Sequence, residues 1–135
     1  MPMIEWNDEL SICIAEIDQQ HQKWLTMVNE FYDSMTNGSS DEIMLKIIGR
    51  MRLFAERHFG MEEELMQRHQ ASFVEEHAKE HQAFLDKFVQ VEIDYRAKKK
   101  SVTLDVLNFL NNWLLTHIND TDKKMGQFLV SKGLS

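Results

Sequence analysis

Two pairs of metal-binding side chains in this sequence are spaced four residues apart. His58 is followed by Glu62, and His77 is followed by His81. Residues at i and i+4 project from the same face of an α-helix, with roughly 5–6 Å between their Cβ atoms. Neutral imidazole and carboxylate groups both bind first-row transition metals. Each pair can therefore direct two ligands at one point on the helix face.

Two more histidines, His21 and His117, interrupt apolar runs of helical periodicity. Any one histidine on an apolar stripe is usually half-buried and hydrogen-bonded to the backbone. Burying five imidazoles and a carboxylate together is costly, however, unless the groups are paired or ligated. A metal ion would supply the missing positive charge. The histidines therefore predict a metal centre enclosed by several helices.

The composition of this ligand set narrows the type of metal centre. Five imidazoles exceed what one tetrahedral zinc ion accepts, and structural zinc sites usually contain cysteine, of which the chain has only Cys13. A histidine-rich set with bridging carboxylates favours a pair of octahedral ions. Ferritin-like di-iron sites are built from Glu-x-x-His motifs, and the ligand set here does not follow that pattern. This indicates chemistry different from that of the oxygen-activating ferritin-like enzymes.

The segment after His117 offers one further acid, and the choice between two candidates is open. Asp120 stands at i+3 from His117 and is its neighbour on a regular helix. Asp122 stands at i+5 and would point well away from that face. A local π-turn would bring Asp122 back, and such turns are frequent at functional sites. Periodicity alone slightly favours Asp120.

Four amphipathic helices with short connections must position these residues, and no long segment alternates with period two. Asp18 is the predicted N-cap of the first helix. Capping boxes at 39–42 and 72–75 are predicted to open the second and third helices. Polar turns are expected at 37–40 and 98–101.

The resulting prediction is an all-α protein, an antiparallel up-down four-helix bundle. Residues 1–135 would form a single domain. Within it, residues 1–17 would be an N-terminal arm that contains Trp6 and Ile14 and packs across the bundle.

Composition and charge exclude several classes of function. At 43% hydrophobic and 27% charged residues, the 135-residue chain is typical of one soluble globular domain. A net charge of -7 argues against nucleic acid or an anionic membrane as the main partner. No stretch approaches the ~20 apolar residues of a membrane span. With one cysteine and no visible secretory signal, the expected location is the cytoplasm.

Four motifs occur in the order in which one protein family has them. They are IDQQH at 17–21, HFGMEE at 58–63, HAKEH at 77–81, and WLLTHI at 113–118 followed by Asp122. The chain resembles the hemerythrin family, specifically its single-domain bacterial members, over nearly the whole length. Each motif alone is weak, whereas the ordered set is highly specific.

The resemblance implies two iron ions, joined by an oxo or hydroxo bridge and held by seven side chains. The implied ligands are His21, His58, Glu62, His77, His81, His117 and Asp122. The family pattern thus selects Asp122 over Asp120. Glu62 and Asp122 would bridge the irons, and the last three histidines would complete one of them. His21 and His58 would complete the other iron, which keeps an open position for dioxygen.

Reversible dioxygen binding, for transport, storage or sensing, is the function that the resemblance implies. Dioxygen is then the expected partner, protein partners are not indicated, and no catalytic residue or enzymatic activity is expected. The alternatives are a di-iron enzyme that handles dioxygen, peroxide or nitric oxide, and an iron-storage or regulatory module.

Apolar residues beside the ligands resemble the lining of the family's oxygen pocket. They are Phe59, Trp113, Leu114 and Ile118, and ordinary core packing would explain them equally well. The sixth histidine, His69, matches no ligand position and is expected at the surface.

Overall fold

Long helices form wherever apolar residues recur at helical spacing and breakers are absent. The computed structural model describes residues 5–97 and 102–135, with side chains from residue 106 in the second range. The helices are α1 (Ala15–Thr36), α2 (Asp41–Arg68), α3 (Val74–Arg96), α4 (Val102–Thr116) and α5 (Lys123–Ser131), with a π-helical segment, His117–Asp122, joining α4 to α5. These two ranges contain no strand, which confirms the all-α prediction.

The helices pack as a four-helix bundle in which α4, the π-helical segment and α5 form the fourth member. Helix α2 packs against α1 and α3, while α4 packs against α3 and α1. Because short connections make successive helices antiparallel, the starts of α1 and α3 lie at the same end as the C-terminal parts of α2 and α4. The sequence-predicted ligands occupy these parts of the helices, so the fold brings them to one level of the bundle.

Two of the three predicted helix starts differ from the structure. Helix α1 begins at Ala15, not at Asp18, and Ile14 is its N-cap. Asp18 instead accepts hydrogen bonds from the backbone N–H of Ile12, at 2.9 Å, and from the Ser11 hydroxyl. Its carboxylate therefore fastens the N-terminal arm to the first turn of α1.

The segment predicted to open α2 does so, with Ser40 as the cap, whereas the cap predicted for α3 is wrong. Ser40 is the N-cap of α2 and accepts a hydrogen bond from the N–H of Ile43 at 3.3 Å. Phe73 is the N-cap of α3 and makes no side-chain cap, while Ser72 is exposed. The turn predicted at 37–40 separates α1 from α2, whereas the one predicted at 98–101 lies outside the described residues.

The N-terminal arm packs against the bundle, as expected. Leu10, Ile12 and Ile14 are buried in the core, and Trp6 packs against it. Ile12 lies directly over Gly126 of α5, where a Cβ atom would stand 2.3 Å from the Ile12 carbonyl oxygen. Glycine is required at this position because only a bare backbone allows the arm to approach so closely.

Replacing Gly126 with alanine is expected to destabilise the protein. The new methyl group would push the arm away from α5, and overpacking of this kind costs about 1–3 kcal/mol. Chemical denaturation would measure the change in the free energy of unfolding. Gly60→Ala is the matched control, since a Cβ there meets nothing within 4 Å and alanine favours the helix. Equal effects of the two variants would contradict the close approach of the arm.

Within the described residues, no helix combines the length and the apolar character needed to cross a membrane.

Candidate metal centre

Seven ionisable side chains from all four members of the bundle lie together in its interior. Each is less than 8% exposed, and both carboxylates are fully buried. They are His21 on α1, His58 and Glu62 on α2, His77 and His81 on α3, and His117 and Asp122 in the π-helical segment. The structure thus brings together every residue of the sequence-predicted ligand set.

Three histidines face one side of the two carboxylates. Glu62 Oε1 lies 3.3 Å from Nε2 of His77 and 3.0 Å from Nε2 of His81. Asp122 Oδ1 lies 3.1 Å from the same His77 nitrogen and 3.0 Å from Nε2 of His117. These five side chains form a compact group of potential metal ligands, which we call the three-histidine side.

The other two histidines face the opposite oxygens of the same carboxylates. Glu62 Oε2 lies 2.8 Å from Nε2 of His58 and 3.5 Å from Nε2 of His21. Asp122 Oδ2 lies 3.1 Å from the His21 nitrogen. This two-histidine side therefore shares both carboxylates with the three-histidine side but offers one imidazole fewer.

The polar atoms at the centre of this cluster have no hydrogen-bond partners. All four oxygens of Glu62 and Asp122 are buried without one, and so are the Nε2 atoms of His77, His81 and His117. Such groups are costly in a protein interior unless a cation compensates them. Imidazole nitrogens and carboxylate oxygens suit divalent first-row metals, so this donor set fits such ions.

The π-helical segment explains how Asp122 reaches the cluster. Six residues, His117–Asp122, adopt the wider helix, which turns the i+5 residue back towards the face of His117. Asp122 is consequently buried, while Asp120 is exposed. The preference for Asp120 that periodicity gave is therefore wrong, because it assumed a regular α-helix.

The model of one protein family matches this chain. Residues 13–129 match the hemerythrin HHE cation binding domain. The chain belongs to the hemerythrin family. The match includes all four histidine-bearing segments of the bundle.

Individual relatives agree with this assignment. Bacteriohemerythrin from Clostridium acetobutylicum is 31% identical over 129 residues, which cover 90% of this chain and 98% of that protein. Bacteriohemerythrin from Stenotrophomonas maltophilia is 27% identical over 126 residues, covering 91% and 79%. The crystal structure of wild-type hemerythrin superposes with a TM-score of 0.87 at 25% identity, covering 94% of this chain and 98% of the other.

Hydrogen bonds outside the cluster orient three of the histidines in this hemerythrin. His58 Nδ1 bonds to Gln20 Oε1, and His81 Nδ1 donates to Glu63 at 2.9 Å. His117 Nδ1 donates to Glu80 at 3.1 Å. In the neutral form of each ring, the one proton is held on Nδ1 and the lone pair of Nε2 points towards the cluster.

Sequence reasoning missed these three outer partners. Each reaches a histidine on the next helix along the chain: Gln20 of α1 to α2, Glu63 of α2 to α3, and Glu80 of α3 to the π-helical segment. Their position directly beside a motif histidine or acid was the available signal, since Gln20 precedes His21, Glu63 follows Glu62 and Glu80 precedes His81.

The two carboxylates raise the pKa values of His21 and His117 in the protein without metal. Burial lowers the pKa of His21, but close contact with the charged carboxylates of Asp122 and Glu62 outweighs it and raises that pKa to about 9. Burial likewise lowers the pKa of His117, and Asp122 and Glu80 raise it to about 10. Burial raises the pKa of Glu62, yet the charge of His58 and close contacts with His21 and His77 hold it well below its usual range.

A small apolar cavity of about 20 Å³ adjoins the two-histidine side. Its polar lining consists of His21, His58, His117 and Asp122. The remaining lining residues are Trp24, Phe54, Ala55, Phe59, Trp113, Leu114 and Ile118. All four apolar residues singled out from the sequence therefore lie at this cavity, which has room for about one small molecule.

His69 lies outside the cluster. It is the C-cap of α2 and is half-buried, neither in the interior nor fully at the surface.

Proposed function

We propose that this hemerythrin binds dioxygen reversibly at a pair of iron ions. The observation that carries the proposal is the asymmetry of the cluster. Two carboxylates are shared between a set of three histidines and a set of two, and the set with one donor fewer faces a small apolar cavity. A metal ion held by His21 and His58 would then have one ligand fewer, and its free position would be within reach of a gas molecule in the cavity.

In this proposal the seven clustered side chains hold the two irons. His77, His81 and His117 would hold one, and His21 and His58 the other, with Glu62 and Asp122 bridging both. When bound, two ferrous ions supply the two electrons that dioxygen accepts and returns on release. The outer partners of His58, His81 and His117 fix the rings so that little rearrangement accompanies binding.

The cavity lining favours a carrier over an enzyme. Apart from the proposed ligands, every cavity residue is aromatic or aliphatic, and none is an acid or base that could transfer a proton. A di-iron oxidase or peroxidase needs proton delivery to the bound substrate. The apolar side chains also exclude water and protons, so the same residues would slow irreversible oxidation of the irons by dioxygen.

Iron analysis combined with optical spectra tests this proposal. The protein, purified after growth with ample iron, should contain two irons per chain. Reduced protein should change its spectrum on exposure to air and recover it when dioxygen is removed. A content of one iron or none, or rapid conversion to the ferric state with turnover of a substrate, would refute reversible binding.

Metal loading should release protons and strengthen as the pH rises. His21, with a pKa of about 9, and His117, with a pKa of about 10, are both protonated at pH 7 in the protein without metal. Imidazole must be neutral to bind a metal, so each of the two gives up a proton on loading. Protons therefore compete with iron below about pH 10, and the affinity for iron should fall as the pH drops.

Calorimetry of anaerobic ferrous binding in buffers of different ionisation enthalpy would count these protons. We expect about two or more per di-iron site at pH 7, and fewer above pH 10. No proton release at pH 7 would show that the histidines are neutral before loading.

A further inference from the structure

A second cavity reaches the cluster at His77, on the three-histidine side, and differs in chemistry from the apolar one. It has a volume of about 240 Å³ and is lined by Phe73, Glu76, His77, Glu80, Asp120, Thr121 and Lys124. We call it the acidic vestibule. It shares no lining residue with the apolar cavity.

The vestibule leads from solvent to one proposed iron ligand, His77. Glu76 and Asp120 are exposed at its rim, and His77, with 1% of its surface exposed, lines its inner part. Because Nε2 of His77 faces the two carboxylates, its Nδ1 points away from them, and this buried nitrogen has no hydrogen-bond partner.

Glu80 connects the rim of the vestibule to the cluster. Its side chain is 46% exposed, yet Oε1 accepts a hydrogen bond from the buried ring of His117 at 3.1 Å. The Thr121 hydroxyl holds the same carboxylate at 2.8 Å. One carboxylate thus contacts both the solvent and a proposed ligand.

The charge of the vestibule suits a cation. Three carboxylates line it, against one lysine, and Nζ of that Lys124 lies 4.9 Å from the centre of the Phe73 ring. A concave surface with excess negative charge raises the local concentration of cations and their rate of entry. The apolar cavity would instead strip the water from an ion without replacing it, which is costly.

From these contrasts, and resting on the di-iron site proposed above, we propose that hydrated ferrous ions enter through the acidic vestibule while dioxygen uses the apolar cavity. Glu76 and Asp120 would attract the ion at the rim, and Glu80 would bind it next. His77 and His117 would then bind it on the three-histidine side. The two substances that the protein needs would then have separate entrances matched to their polarity.

The rate of anaerobic iron uptake tests this route. Trp24 and Trp113 line the apolar cavity, and Trp113 stacks on His117, so quenching of tryptophan fluorescence reports the arrival of iron. The double variant Glu76→Gln, Asp120→Asn should take up iron about three- to tenfold more slowly at low ionic strength, with a weaker salt dependence. Lys124→Gln should take it up faster. Both variants should still reach two irons per chain, since none of these residues belongs to the cluster.

A control variant at two acids on α3 distinguishes the loss of charge in the vestibule from the loss of net charge on the protein. Glu75→Gln with Asp86→Asn removes two exposed carboxylates that do not line the cavity. This control removes the same net charge but should slow loading much less than the vestibule variant does. Loading of the vestibule variant at the wild-type rate, or equal slowing of the control, would overturn the route while leaving the di-iron site intact.

Two further measurements distinguish failure of the proposed di-iron site from failure of the proposed entry route. If wild-type protein does not bind two irons, the proposed function fails and the route with it. Removal of iron from loaded protein by a chelator should be slowed by the vestibule variant as well, because the ion leaves by the same path. The rate of iron removal tests the route even if the protein without metal loses its helices, because the measurement starts from the loaded, folded protein.

Discussion

Replacing His117 with alanine is expected to abolish binding of the iron pair and to lower the melting temperature of the bundle. The change removes one of three imidazoles on the three-histidine side and leaves Asp122 Oδ1 without its neighbour at 3.0 Å. Metal binding contributes directly to folding free energy, so loss of the ions would lower the melting temperature by about 10 °C or more. His77→Ala should behave in the same way, because His77 lies near both carboxylates.

Iron content and thermal unfolding monitored by circular dichroism would measure both effects. His69→Ala is the matched control, since it removes the one histidine that lies outside the cluster. It should retain two irons per chain and a melting temperature close to that of the wild type. Two irons and normal spectral changes with dioxygen in His117→Ala would show that the ligand set is wrong.

The architecture could be predicted because four amphipathic stripes with short connections have few ways to bury their apolar faces. Helix boundaries were less predictable. Asp18 is as suitable for an N-cap as for accepting hydrogen bonds from the arm, and only the packed arm decides between the two. Ser72 has the residue type of a cap, but Phe73 occupies that position.

The interior cluster could be inferred from sequence because its histidines interrupt stripes that must be buried. Asp122 could not be placed by periodicity, since the π-helical segment changes the angle between residues. The outer partners Gln20, Glu63 and Glu80 lie in part on solvent-facing surfaces and contact histidines on other helices. Helical periodicity relates residues of one helix only, so pairs of residues on different helices cannot be predicted from it.

Introducing a hydroxyl group into the apolar cavity is expected to shorten the lifetime of the oxygenated protein. Ile118 is fully buried and lines the cavity next to His117. Ile118→Thr would place a hydroxyl group beside the free ligand position. This group can donate a proton and can hydrogen-bond a water molecule in the cavity. Proton donation in an active site typically changes rates by 10²–10⁴, so we expect faster conversion to the ferric state by about tenfold or more.

Ile118→Val is the control that isolates the hydroxyl group. Valine and threonine have the same branched shape and remove a similar volume, but valine brings no donor. Decay of the oxygenated spectrum in air would be followed for both variants at equal iron content. Fast decay in threonine alone would show that exclusion of protons, and not tight packing, preserves the oxygenated state. Equal acceleration in both variants would assign the effect to the lost packing, and the proposed role of the cavity lining in excluding protons would then be wrong.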